Sequence, residues 1–253
     1  MEESYRQVSE GVSTSVVTVL SRGLFCIGSV VQSTADTKWI LTSSSFIRTN
    51  NRIDVRFYDD TIVEVKRLVE LEGAMFTLLV VDSTVVCSVL EFCEKDVDVV
   101  SEAVVLAPTS GSSFSHIPSF VIQPSCAARD HKMVDIQESE QYFLVSCHYG
   151  GLEICGHHFM LVSAPVFDLR CKAIGLVTSQ CGEKKNKVVV KIGLSASNAR
   201  KSVLDLLEKS KQQEKVAQSP EEKKEQDRVA ETESSVGARK GKKRLRKGGL
   251  QIR

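Results

Sequence analysis

Short apolar runs alternating with polar corners fill most of the chain, and their spacing predicts strands rather than helices. From Ser13 to about Val89 the runs are VVTVL, FCIGSVV, KWILTSS, RIDVRF, TIVEVKRLV and FTLLVV. They are rich in Val, Ile, Thr and Phe and are separated by turn residues such as Thr34-Ala35-Asp36, Thr49-Asn50-Asn51 and Tyr58-Asp59-Asp60. Six such runs at spacings of about ten residues predict a small sandwich or barrel. Leu90 to Val99 reads as a connection. A second series follows at Glu102 to Pro108, Ile117 to Ile122, Lys132 to Ile136, Gln141 to Cys147, Ala164 to Phe167, Ala173 to Ser179 and Lys187 to Ile192. Within it, Pro165-Val166-Phe167 and Ala173 to Val177 flank the polar corner Asp168 to Lys172, a hairpin pattern. The period then changes: Val203, Leu206 and Leu207 stand at helical spacing behind Ser197 or Asn198 as N-cap, which predicts a closing helix.

Composition adds three constraints. The chain has 253 residues, 42% of them hydrophobic, ordinary for a globular protein. No apolar run approaches the roughly 20 residues of a membrane-spanning helix, and MEESYRQVSEG is polar and acidic rather than a signal peptide, so the expected location is nuclear or cytoplasmic with no membrane partner. The eight cysteines form no CxxC pair and sit mostly in apolar runs, which predicts buried thiols. Cys155, His157 and His158 could ligate zinc, but no second ligand pair follows at finger-like spacing, so no metal and no cofactor is expected. The net charge of +1 hides a division: residues 212–253 carry 12 Lys and Arg against 7 Asp and Glu, leaving 21 against 25 in residues 1–211. From Gln212 aromatic residues are absent and apolar ones become sparse, predicting a disordered segment. It ends in a basic cluster of Arg239, Lys240, Lys242, Lys243, Arg244, Arg246 and Lys247, suited to a nuclear import receptor or to nucleic acid.

The order Ala-Pro-Val-Phe-Asp-Leu followed by Lys-Ala-Ile-Gly-Leu-Val, at 164–169 and 172–177, resembles the nucleophile segment of trypsin-like serine proteases, closest to the Deg/HtrA subgroup pattern GxSGGP(L/V)(F/L)(D/N)xxGxVIGI. WILTSSSFI, DVRFYDDTIVEV and MFTLLVV are similar, in order and spacing, to that family's ILTxxH, VxxxDG and D-L-A-V-L-K segments. The resemblance spans roughly residues 13 to 208. It implies an all-β chain of two antiparallel six-stranded β-barrels, the trypsin-like (chymotrypsin) fold, with a C-terminal helix, a disordered basic tail and no PDZ domain. The implied division is an extension at 1–12, barrels at 13–96 and 97–195, the helix at 196–211 and the tail at 212–253.

Carried over by residue, the resemblance puts the general base on Ser45, the orienting aspartate on Met75 and the nucleophile on Val162, with Met160, Ser163 and Ala164 at the glycines of the oxyanion loop. Amide hydrolysis by a hydroxyl needs a base, a group that holds the base and donors for the oxyanion. The expectation is therefore a non-enzyme: a degenerate, catalytically inactive protease homologue that binds an unidentified protein or peptide by strand addition, as a regulatory module. Two alternatives stand beside it. One is a divergent serine- or cysteine-type endopeptidase using Ser163 or Cys155; the other is a nucleic-acid-associated protein acting through the basic tail.

Overall fold

The computed structural model describes residues 2–48, 52–94, 101–108, 114–126, 140–148, 161–181 and 188–217. Residues 218–253 of the expected tail and the run at Lys132 to Ile136 lie outside the described residues, whereas residues 212–217, expected as disordered tail, continue the last helix. The chain divides into two units at Glu208 and Lys209, inside its last helix, and both series of strands belong to the unit ending at Glu208.

The first series of runs forms β1 (Val16–Ser21), β2 (Leu24–Ser33), β3 (Thr37–Ser43), β4 (Asp54–Arg56), β5 (Ile62–Glu64), β6 (Arg67–Glu70) and β7 (Phe76–Asp82). These make one antiparallel seven-stranded sheet in the order β5-β4-β1-β2-β3-β7-β6. Its two edge strands, β5 and β6, are consecutive in the chain, separated only by Val65-Lys66. The Val65 amide donates to Ile53 O at 3.0 Å and the Lys66 amide to Val80 O at 3.0 Å, so a single bent segment leaves one end of the sheet and joins the other. The expected run TIVEVKRLV is that segment, and counted once it brings the sheet to the six strands expected. The β1–β2 connection is a two-residue turn with Arg22 at φ 47° and Gly23 at φ 80°, the left-handed pair that matches strand twist.

The second series forms a closed barrel in the order β10-β13-β12-β11-β8-β9. Its strands are β8 (Glu102–Pro108), β9 (Phe114–Cys126), β10 (Tyr142–His148), β11 (Pro165–Phe167), β12 (Ala173–Cys181) and β13 (Val188–Ser195). The corner at 168–172 is held by Asp168, whose Oδ1 accepts from the Arg170 and Lys172 amides at 2.9 Å each.

The apolar runs are nearly continuous because the first sheet is covered on both faces. Ile40, Leu79 and Val81 turn toward a core shared with Val17, Val19 and Phe57. Trp39, Leu41, Leu78 and Val80 turn the other way, into a core they share with the second barrel. The last helix, Ala196–Ala217, adds Ala199, Val203 and Leu206 to that second core, the periodicity the sequence predicts.

Two helices were not expected. Residues Glu2–Val12 form α1, which buries Tyr5, Val8 and Val12 on one face, and Ser44–Arg48 form the short helix α2; the last helix is therefore α3. The spacing of Tyr5, Val8 and Val12 is helical, and in a segment treated only as a polar extension it carried the signal. Among the described residues no helix is long and apolar enough to cross a membrane.

Cys26, Cys126 and Cys147 are buried, while Cys87, Cys93 and Cys171 are partly so. Burial pushes the Cys26 thiol from 9.0 up to about 12, against a small lowering by the Thr42 hydroxyl. Burial, then the Asp168 carboxylate, raise Cys93 to about 11. Thiols with raised folded pKa hold protons that the unfolded chain has released, so their stabilisation is complete below pH 9 and lost as pH rises toward 12. The melting temperature is expected to fall between about pH 8.5 and 10.5, at about 1.4 kcal/mol per pH unit for each fully shifted thiol. Cys26→Ala should flatten part of the slope; a flat or rising profile in wild type would overturn the assignment.

Candidate functional site at the seam between the barrels

The end of β3 and the start of α2 bring four hydroxyl side chains, Thr42, Ser43, Ser44 and Ser45, to the seam. Ser44 is locked to β7: its amide donates to Met75 O at 2.9 Å and its Oγ lies 2.9 Å from Thr77 Oγ1. Thr77 in turn reaches Glu70 Oε1 at 3.3 Å. Ser43 and Ser45 hydroxyls lie 2.8 Å apart, and Ser45 is exposed at the first turn of α2. Ser45 and Met75 are thus carried by two adjoining segments.

The third segment comes from the second barrel. Leu161 to Ala164 form a turn, closed by the Ala164 amide on Leu161 O at 2.9 Å, and Ser163 at its corner has φ 70°. A residue with a Cβ is uncommon there, which is the physical reason the resembling pattern has glycine at this place. The turn is pinned to β12 by the Ser163 amide on Val177 O at 2.7 Å and the Val177 amide on Ala164 O at 2.9 Å.

The Ser163 hydroxyl crosses to the first barrel. Its Oγ lies 2.5 Å from Ile27 O, within reach also of Val162 O, and 3.5 Å from Thr42 Oγ1. Thr42 donates to the same Ile27 carbonyl at 3.0 Å and meets Cys26 Sγ at 3.2 Å. Ser163 is 1% exposed and points at a carbonyl. It acts as a clasp between barrels, not as a hydroxyl offered to a ligand. Sequence reasoning missed Thr42 as the neighbour of Ser163 and Thr77 as that of Ser44, although Thr42 is the threonine of the ILTxxH-like run. Val162 and Met75 are half-buried and Ala164 is buried. Met160, Cys155, His157 and His158 lie outside the described residues, as do Arg239, Lys240, Lys242, Lys243, Arg244, Arg246 and Lys247. Among the described residues no three His, Cys, Asp or Glu side chains gather as a metal site.

Beyond this turn, β12 continues without β11. Its pairing with β11 ends at Leu176, opposite Pro165, while its pairing with β13 continues through Ser179, Gln180 and Cys181. Among the described residues, Thr178 to Cys181 pair on one edge only. Thr178 Oγ1 is turned to Ile192 O at 3.1 Å, on the paired side.

No family model matches this sequence, and no curated protein sequence matches it either. Solved structures do. The chain is similar to the Rv3671c protease in an inactive form, at 16% identity and TM-score 0.58 over 79% of this chain and 92% of that one. A serine-to-alanine mutant of Rv3671c from M. tuberculosis H37Rv gives 16% identity and TM-score 0.60 over 79% and 89%. The fold is that of a trypsin-like protease. The M. tuberculosis protease in its active form is also similar, at 16% identity and TM-score 0.56 over 79% and 83%. That last likeness corrects the expectation of a non-enzyme: the fold is shared with a protease in its active form. The expectation rested on side chains at three aligned positions. Ser45 and Met75 are joined through the Ser44–Met75 bond, and Val162 adjoins the Ser163–Thr42 contact, but the segment holding Cys155, His157 and His158 is outside the described residues. Loss of catalysis does not follow.

Proposed function

We propose that this chain engages an extended polypeptide, laying it as an additional antiparallel strand along Thr178 to Cys181 of β12, next to the Ser163 turn. The observation that carries the reading is that, among the described residues, this edge is paired on one side only. A strand's unpaired N–H and C=O groups take a peptide backbone irrespective of side chain, and alternate side chains of the ligand then face the protein. The position favours it as well, because the edge begins one residue beyond the Val177 carbonyl that holds the Ser163 amide.

A second reading, hydrolysis of the bound chain, is favoured by the likeness to an active-form protease. One experiment addresses both. A library of extended decapeptides is screened by fluorescence anisotropy, and the best binder is scanned with single N-methyl substitutions while its products are followed by mass spectrometry. Affinity is expected to fall by about tenfold at every second amide over at least four residues, each lost charge-neutral hydrogen bond accounting for the drop. A scan without that two-residue period sinks the strand reading. Cleavage at one bond would establish hydrolysis, and its loss in Cys155→Ala together with loss of iodoacetamide labelling would assign Cys155, whereas fluorophosphonate labelling lost in Ser163→Ala would show that the buried Ser163 clasp opens to a ligand.

A further inference from the structure

Strand β13 reads Val-Val-Val-Lys-Ile-Gly-Leu-Ser, and Lys191 interrupts its apolar run. Lys191 pairs with Val145 of β10 on one side and with Gln180 of β12 on the other. Residues paired across antiparallel strands share a face, so Lys191 lies on the face that carries Phe143, Val145 and Cys147. That face is the inside of the closed barrel. Val145 pairs with Val121 and Cys147 with Ser119, all four without exposed surface, and the Phe143 ring packs against Gly175 and Gly193.

Lys191 itself is 8% exposed, buried but not sealed. A lysine costs more to bury than an apolar residue of its size, so its place on an inner face calls for a task for the charge. The neighbours just named bring no negative charge at neutral pH. Burial, above all, raises the Cys147 thiol, with the Ser119 hydroxyl and the Lys191 ammonium pulling the other way. An ammonium carries three N–H donors, so a contact within the fold leaves room for a carboxylate from outside.

The position of Lys191 puts it within reach of the proposed ligand. Gln180, its direct partner, belongs to the stretch of β12 that is paired on one side only among the described residues. A strand added there would stand two strand spacings from β13, about 9.6 Å. Its residue opposite Gln180 would share the face of Lys191, and two long side chains turned toward each other span that gap. We propose that Lys191 selects a glutamate or aspartate of the polypeptide ligand, at the position laid opposite Gln180. A lysine or arginine there would meet a like charge at low dielectric, and an apolar residue would strip water from the ammonium without replacing it. The inference rests on the proposed strand addition and names the specificity of the same ligand.

The test uses the full-length protein and the best library binder, with Glu, Gln, norleucine or Lys placed at each position in turn. One position, inside the run of N-methyl-sensitive amides, is expected to prefer Glu over Gln by about tenfold, as for a close charge pair. Lys191→Arg should keep that preference and Lys191→Met should remove it. No preference at any position, or one that survives in Lys191→Met, overturns the inference, while a two-residue N-methyl period still leaves the strand reading standing. A Glu preference that is lost in Lys191→Met but comes without that period does the reverse, and a library without any binder removes both. A second readout needs no methionine variant. The carbon-13 resonance of Lys191 Cε, assigned by its loss in Lys191→Arg, is expected to shift on binding the Glu peptide and far less with the Gln peptide; equal shifts overturn the inference.

Discussion

Gly175→Ala is expected to leave little folded protein. A Cβ at this position would stand 2.1 Å from Leu194 O and 2.4 Å from Phe143 Cε1. The carbonyl belongs to the β12–β13 ladder, where Leu194 faces Leu176 and Ser195 faces Gly175, so it cannot retreat without breaking that ladder. Overpacking in a close-packed core commonly costs about 1–3 kcal/mol and more where backbone must move; a loss of about 4 kcal/mol would remove much of an ordinary domain's stability. Gly193→Ala meets a different obstacle. There the three nearest atoms, at 2.3 to 2.9 Å, all belong to the Phe143 ring. Shortening that ring should therefore relieve the Gly193 substitution more than the Gly175 one, whose tightest contact is backbone. In urea unfolding, Phe143→Ala alone is expected to cost about 3–5 kcal/mol through the cavity it leaves. Adding Gly193→Ala to it should cost at least about 1 kcal/mol less than in wild type, whereas Gly175→Ala should be relieved less, because its clash with Leu194 O at 2.1 Å remains. Equal rescue of both, or of neither, would contradict this packing.

This glycine pair also shows what was legible in the sequence. Gly175 is the Gly of the motif Lys-Ala-Ile-Gly-Leu-Val, and in the structure any side chain there would meet Leu194 O. Strands such as FTLLVV were readable because burial on both faces selects β-branched and aromatic residues throughout. The bend that carries TIVEVKRLV from β5 to β6 was not, since no proline or glycine marks Val65-Lys66 and the change of partner is decided by two distant carbonyls, Ile53 O and Val80 O. Helix α1 was missed because its three apolar residues are diluted among eight others, and only the β8–β9 face beneath it makes them a core.

The site divides in the same manner. Ser45, Met75 and Val162 were expected together from motif order, and in the structure Ser44 bonds Met75 while Thr42 meets Ser163. What those residues imply for chemistry could not be read from identity at aligned positions. Ser163, a candidate nucleophile in the sequence, is a buried clasp, and the Asn198 amide, a candidate cap in the sequence, has a buried nitrogen with no hydrogen-bond partner among the described residues. In both cases the role is set by what stands opposite, which depends on residues far away in the chain.

Lys38→Met is the second substitution expected to have a large effect, and it concerns how the two barrels are connected. Lys38 is 1% exposed, and its ammonium is held by backbone oxygens: Thr34 O at 2.6 Å, Ala35 O at 3.3 Å and Ser83 O at 2.9 Å. Two of these belong to the turn before β3, and the third begins the segment that runs to the second barrel. That segment is then secured by the Leu90 amide on Val30 O at 2.7 Å and the Cys93 amide on Ala173 O at 2.8 Å. Methionine fills the same space but leaves the three carbonyls without their shared donor, and each unsatisfied buried group costs about 1–3 kcal/mol, less whatever solvent recovers. A total loss of about 3 kcal/mol is expected, against under about 1 kcal/mol for Lys66→Met, whose ion pair with Asp82 at 2.7 Å is exposed on both sides. Hydrogen exchange should localise the Lys38 effect, with protection falling first at the Ser83, Val85 and Leu90 amides, whose partners are Asp36 O, Ser83 Oγ and Val30 O. Equal losses for the two lysines, or uniform loss of protection over both barrels, would mean that the ammonium does not anchor the connecting segment.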